Sequence, residues 1–210
     1  MATAVLKTLG ATDTRQRLID VAVRLFTRHS FAGTSLQMIA DELGFTKAAV
    51  YHHFHTREEL LGAVVEPVFA QLRAGIERAE AQRGRNARAE HMLAEYVDIA
   101  VRNRSLMAVL AGDAGVVEKL RAQPDFGDLI SRQIKLLADL EPGPAGLVKA
   151  AVVLAGIAGA AQPILLDFDD ELLRQYFIEA GRRTLGLRTP RRPIGEVAPA
   201  RANAAASDRP

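Results

Sequence analysis

The chain has 210 residues, 49% of them hydrophobic, which suits one compact domain or two small ones with a sizeable core. It contains no cysteine, which excludes disulfides, thiolate catalysis and cysteine-ligated zinc. The net charge is only +2, and the arginines of residues 188–210 account for it, so bulk charge does not indicate nucleic-acid binding.

The amino terminus carries no recognisable targeting signal. Residues 1–13 have neither a basic start nor a long apolar core, so we expect no signal peptide. The longest uncharged apolar run, residues 150–161, is far shorter than the roughly 18 residues that would span a bilayer. We therefore expect a cytoplasmic protein without a membrane partner.

Helical periodicity accounts for nearly all of the chain. Residues 1–13 show no sustained period and predict a flexible arm, whereas residues 14–29 predict an amphipathic helix. Further helical patterns lie at residues 56–83, 87–102, 106–111, 116–121, 124–140, 145–166 and 170–185. Residues 188–210 turn to Pro, Ala and Arg and predict a disordered tail. Because no strand pattern and no repeat is present, the fold class is predicted to be all-α.

Residues 34–54 carry the most informative pattern, which reads TSLQMIADELGFTKAAVYHHF. Two short helical patterns meet at Gly44, where a chain that leaves a helix must turn with positive φ. Ala40 is small where two helices must cross, and Thr46 can cap the second helix. This spacing predicts a helix-turn-helix. The alternative is an ordinary corner of two helices, packed for stability alone.

Together with its flanks, TRQRLIDVAVRLFTRHSFAGTS before it and HTREEL after it, this stretch resembles the TetR family of transcriptional regulators. The resemblance covers about residues 14–61. It implies a three-helix DNA-binding domain over residues 14–56 and a helical domain for ligand binding and dimerisation over residues 57–187. It also implies a homodimer, double-stranded operator DNA as partner, and a small-molecule effector.

The second helix of the motif leaves a polar face off its apolar stripe. This face carries one cation, small side chains and side chains with hydrogen-bonding groups. Such a face can bind phosphates and base edges in the major groove of DNA. From the residues and the family resemblance, the expected DNA contacts are Thr34, Thr46, Lys47, Ala48, Tyr51, His52, His53 and Arg57. The alternatives are a solvated polar face or, for the histidines, a metal site, but no nearby carboxylate or cysteine completes a coordination sphere.

The apolar helices between residues 93 and 168 admit two interpretations. One is a well-filled core. The other, which the family resemblance implies, is a cavity for an apolar or amphipathic effector. The expected lining residues are Met92, Leu93, Tyr96, Met107, Leu110, Phe126 and Ile130.

Residues 145–166 are apolar on nearly every face, so one neighbouring helix cannot bury them. Gly156, Gly159 and Ala160 permit another helix to approach closely. We therefore expect this helix and the last one to form a two-fold dimer interface. The alternative is that the pair forms the core of a monomer.

These observations predict a transcriptional repressor that a small effector releases from a palindromic operator. The main alternative is a DNA-binding structural protein that responds to no effector. An enzyme with an accessory DNA-binding head lacks support, because the sequence shows no nucleophile with a base, no phosphate loop and no paired carboxylates. We therefore expect no catalysis, no cofactor and no metal.

Overall fold

The computed structural model describes residues 2–163 and 168–187, apart from the side chains of residues 2–12 and 124. These residues form ten α-helices and no strand, which confirms the all-α prediction for the described chain. The helices are α1 (Ala2–His29), α2 (Leu36–Leu43), α3 (Lys47–His53), α4 (Arg57–Glu80), α5 (Arg85–Arg102), α6 (Arg104–Gly112), α7 (Ala114–Arg121), α8 (Pro124–Ala138), α9 (Pro144–Ala160) and α10 (Asp170–Leu185).

Helix α1 starts earlier than the sequence predicted. Residues 2–13 belong to the same helix as the amphipathic segment that follows, whereas we expected a flexible arm over residues 1–13. The physical reason is propensity: the stretch holds no proline, and its alanines, leucines and lysine favour a helix enough to offset Gly10 and the threonines.

Helices α1, α2 and α3 close a small core of their own. Each helix buries one apolar stripe at helical spacing, as expected for short helices that gain most of their stability from packing. The fully buried side chains include Leu18, Ala22, Ile39, Val50 and Phe54. The core therefore fixes which face of α3 remains in solvent.

Helix α4 joins this three-helix unit to the rest of the chain. Its N-cap Thr56 accepts a hydrogen bond from the backbone N–H of Glu59 at 3.0 Å, and the acidic first turn complements the helix dipole. The helix packs against α1 and also against α5 and α8. Helix α4 therefore contacts both the three-helix unit and the carboxy-terminal helices.

Helix α5 lies at the centre of the carboxy-terminal part, in contact with α4, α8, α9 and α10. At its crossing with α10, a Cβ on Gly181 would lie 2.6 Å from Leu93 Cδ1, so a larger residue there would displace the Leu93 side chain. Helix α9 ends at Ala160, six residues before the predicted end at residue 166. Residues 164–166 of that prediction lie outside the described chain. The predicted tail, residues 188–210, also lies outside it.

Candidate nucleic-acid interface and internal cavity

The turn between α2 and α3 has the geometry that the motif predicted. Gly44 adopts the left-handed conformation with φ of 66°, which closes α2. Thr46 then caps α3, because its hydroxyl accepts a hydrogen bond from the backbone N–H of Ala49 at 3.2 Å. Val50 and Phe54 anchor the other side of α3 in the core. The opposite face of α3 is therefore held rigidly in solvent.

That exposed face carries most of the predicted DNA contacts. Lys47, Ala48 and His52 are exposed, and Tyr51 is 38% exposed although it is aromatic. The Lys47 ammonium lies 5.3 Å from the centre of the Tyr51 ring, a cation–π distance that aligns both side chains along one edge of α3. Among the described residues these groups enter no salt bridge, so the cation is available to an external anion.

Two arginines of α1 lie beside this face. The Arg15 guanidinium is 5.1 Å from the Phe54 ring centre, and that of Arg17 is 5.2 Å from the Phe45 ring centre. Both side chains are exposed. Stacking on a buried or half-buried ring holds their charge next to α3, where it adds to the positive potential of the surface.

His53 occupies a less polar position than its neighbours on α3. Burial, the neighbouring His52 and the charge of Arg15, in that order of size, lower the pKa of His53 below the ordinary value of 6.5. The imidazole is therefore biased towards its neutral form, which can donate one hydrogen bond and accept another. In the free protein its role is that of a polar neutral group rather than a cation.

Two of the predicted DNA contacts face inward instead. Thr34 is 1% exposed, and its hydroxyl donates a hydrogen bond to the carbonyl of Ser30 at 2.8 Å. Arg57 Nη1 donates to the backbone carbonyls of Phe31 and Ala32 at 3.2 and 2.9 Å and of Thr34 at 3.0 Å. These side chains therefore hold the turn between α1 and α2. Spacing in sequence could not show this, because the turn folds back over the start of α4.

The described residues contain no group of three His, Cys, Asp or Glu side chains that is placed to hold a metal ion. None of the described helices is both long and apolar enough to cross a membrane.

A cavity of about 490 Å³ lies between helices α4 to α9. Of the seven predicted lining residues, the cavity wall includes Tyr96, Met107, Leu110, Phe126 and Ile130. The remainder of the wall is also largely apolar and includes Phe69, Leu72, Ile99, Leu120, Gln133 and Leu154.

Met92 and Leu93, which the sequence also predicted as lining residues, do not line this cavity. Both are fully buried, at 0% and 1% exposure, and Leu93 packs against Gly181 of α10. They lie one turn nearer the start of α5 than Tyr96, where the helices are in close contact. Helical periodicity gives the face on which a residue lies but not the level at which neighbouring helices separate.

Three polar side chains interrupt the apolar wall. The Tyr96 hydroxyl donates a hydrogen bond to the carbonyl of Leu154 at 3.1 Å, and burial raises the pKa of Tyr96 to about 12, so the phenol is neutral. Arg121 reaches the wall from the last turn of α7. Gln133, on α8, is 1% exposed. The sequence analysis missed Gln133, although a glutamine within an otherwise apolar helical stripe was a usable signal.

Helices α9 and α10 leave an apolar surface uncovered in the single chain. Leu147, Val148 and Val152 of α9 are 52%, 61% and 57% exposed, and Tyr176 of α10 is 51% exposed. Gly159 has no atom within 4 Å of the position its Cβ would take, so this side of α9 is open. The sequence predicted that this helix is buried on most sides, and within the single chain it is buried on only one side.

Comparison with known proteins identifies the amino-terminal unit. Residues 18–64 match the family model for bacterial regulatory proteins of the tetR family. The HTH-type transcriptional regulator AcrR of Shigella flexneri is 41% identical over 56 residues, 27% of this chain and 26% of that protein. The HTH-type transcriptional repressor KstR2 of Rhodococcus jostii is 31% identical over 70 residues, 31% of this chain and 34% of that protein. The matched segments thus span about a quarter to a third of these relatives.

The similarity in fold covers much more of the chain than the similarity in sequence. The ketosteroid transcriptional regulator KstR2 of Mycobacterium tuberculosis superimposes with a TM-score of 0.67 over 82% of this chain and 93% of its own, at 17% identity. At that identity the likeness concerns the fold alone. The segment of residues 18–64 therefore belongs to the tetR family of bacterial regulatory proteins, and most of the chain shares the fold of the regulator from Mycobacterium tuberculosis.

Proposed function

We propose that this protein is a transcriptional repressor that binds a palindromic operator as a homodimer and is released from it by a small apolar or amphipathic effector. The observation that carries the proposal is the exposed face of α3, where Lys47, Tyr51 and His52 stand in solvent on a helix anchored by Val50 and Phe54. A repressor role is also in keeping with the name of the relative from Rhodococcus jostii.

The face of α3 fits DNA chemistry. The Lys47 ammonium supplies the salt-dependent attraction to phosphate, while Tyr51, His52 and His53 offer hydrogen-bonding tips to base edges. Ala48 offers only a methyl contact, which suits the methyl group of thymine. Thr46 adds a hydroxyl at the start of the helix but already accepts one hydrogen bond from the backbone.

The uncovered surface of α9 and α10 supports the homodimer. Its exposed residues are large and aliphatic or aromatic, whereas isolated chains rarely leave a contiguous apolar patch in water. Two copies of this helix pair would form a four-helix packing with two-fold symmetry. A two-fold dimer presents two α3 helices to half-sites that lie roughly 34–36 Å, or a multiple of that, apart.

The cavity supports an effector. About 490 Å³ falls within the roughly 300–1,000 Å³ that is usual for small-molecule sites, and its walls are mainly apolar. Arg121 enters none of the ion pairs found among the described residues, so it can meet an anionic group at one end of an amphipathic molecule. Release from DNA would follow if the occupied protein favours a different spacing of the two DNA-binding units.

The experiment that tests DNA binding compares Lys47→Ala, Tyr51→Ala and the control Lys135→Ala, which removes an exposed cation on α8. Binding to DNA from upstream of the protein's own gene is followed by fluorescence anisotropy over a range of salt concentrations. Lys47→Ala should weaken binding to every sequence and flatten the salt dependence by about one unit of logarithmic slope. Tyr51→Ala should weaken binding to the operator more than to unrelated DNA.

If both α3 variants bind like the control at matched salt, α3 is not the interface and the proposal fails. If DNA is bound but no small molecule ever releases it, the alternative of an effector-independent DNA-binding protein takes its place.

A further inference from the structure

Gln133 is the one buried amide in the wall of the cavity that we find without a partner in the described chain. Its side chain is 1% exposed, and its Nε2 has no hydrogen-bond partner among the described residues. More than nine in ten buried polar groups in proteins are hydrogen-bonded, because a buried donor without an acceptor loses its hydration and gains nothing. An exception inside a cavity therefore indicates a group that is kept for an external molecule.

The surroundings of Gln133 do not offer an internal acceptor. Its neighbours on α8 that also face the cavity, Ile130 and Ile134, are apolar. The Tyr96 hydroxyl already donates its proton to the carbonyl of Leu154. Tyr96 could therefore donate to a ligand in the cavity only by breaking that hydrogen bond. Apart from the exposed Arg121, the cavity thus presents one unpaired polar donor in its wall, the Gln133 amide, and such a group can orient a ligand through one polar contact.

We propose that Gln133 is a specificity-determining residue of the cavity and donates a hydrogen bond to a carbonyl oxygen in the apolar part of the effector. The inference rests on the proposed effector function and names the chemical class of the effector. A neutral amide needs no charge on its partner, so a ketone, ester or lactone oxygen satisfies it. A pure hydrocarbon of the same shape leaves the donor buried and unpaired, and the site selects against it.

The test uses two fluorescent probes of similar size. Prodan is a naphthalene that carries a ketone, and its emission moves to longer wavelength when that ketone accepts a hydrogen bond. N-phenyl-1-naphthylamine is apolar and has no carbonyl. Both are titrated into the wild-type protein, Gln133→Leu and Gln133→Met, which remove the amide at nearly constant volume. The matched control is Gln71→Leu, which makes the same change at an exposed position of α4.

Prodan should bind wild type and the control alike, with red-shifted emission. In Gln133→Leu its affinity should fall about five- to tenfold, the effect of one lost hydrogen bond, and its emission should shift to the blue. The affinity of N-phenyl-1-naphthylamine should stay the same or rise. Without any probe, the melting temperature of Gln133→Leu should rise by about 2–4 °C, because an unsatisfied amide has been removed.

The results separate this inference from the proposed function on which it rests. If Prodan binds wild type and both Gln133 variants equally, or only the amine probe binds, the amide does not select the ligand, while the cavity remains an effector site. If neither probe binds wild type, the effector function fails as well. If Gln133→Leu and Gln133→Met both lose their melting transition, Gln133 serves the fold and the inference is overturned.

Discussion

The carboxylate of Asp113 accepts a hydrogen bond from the backbone N–H of Phe31 at 2.6 Å, although the two residues lie 82 positions apart. The other carboxylate oxygen of Asp113 caps α7 through the N–H groups of Gly115 and Val116. One side chain thus ties the turn after α1 to the start of α7, which lines the cavity with Val117 and Leu120. It is a direct polar link between the DNA-binding unit and the cavity wall.

Substitution of Asp113 can separate these two roles. Asp113→Ala should lower the free energy of unfolding by about 2–3 kcal/mol, because it removes the cap and leaves the Phe31 N–H unpaired. Asp113→Asn should cost about 1–2 kcal/mol, since its oxygen keeps the cap while its NH₂ group faces the Phe31 N–H. Urea denaturation measures both. An asparagine variant as stable as wild type would show that the link to Phe31 contributes nothing.

Arg57 distinguishes a turn-holding residue from a DNA contact. Arg57→Met should lower the free energy of unfolding by about 1–3 kcal/mol, because it removes the donor to three carbonyls and the stacking of the guanidinium 5.2 Å from the Phe31 ring centre. The salt slope of DNA binding should stay that of wild type. A flattened slope with unchanged stability would instead assign Arg57 to a phosphate.

His53 should make stability depend on pH. Its pKa in the folded protein lies below 6.5, so the unfolded chain binds more protons between the two values and stability falls as pH drops through that window. Stability measured in urea at pH 7.5 and pH 5.5 should therefore decline more in wild type than in His53→Gln. Equal declines in the two proteins would show that burial of His53 does not disfavour its charge.

Charge placed on the uncovered surface should break the dimer. Val152→Glu puts a carboxylate into the apolar patch of α9, where burial without a partner is costly, and it should make the protein monomeric at micromolar concentration. Ala87→Glu adds the same charge at an exposed position of α5 and should stay dimeric. Sedimentation velocity measures both. A dimeric Val152→Glu, or a monomeric wild type, would place the interface elsewhere or remove it.

The local elements of this protein were accessible from sequence because their causes are local. Gly44 must supply positive φ, Thr46 must cap, and Val50 must face the core at helical spacing, so the helix-turn-helix could be predicted residue by residue. Capping by Thr56 and Asp169 was likewise predictable. The unbroken start of α1 was missed because it depends on propensity without a hydrophobic period.

The tertiary structure decided what each side chain meets. Thr34 and Arg57 satisfy the family spacing for DNA contacts, yet the fold turns them onto the backbone of the α1–α2 turn. Leu93 and Tyr96 lie less than one turn apart on α5, but only Tyr96 reaches the cavity. Sequence patterns determine which residues form helices and which faces are apolar, because those depend on neighbours three or four positions away. Where helices separate, and which buried group is left without a partner, depends on contacts between residues far apart in the chain.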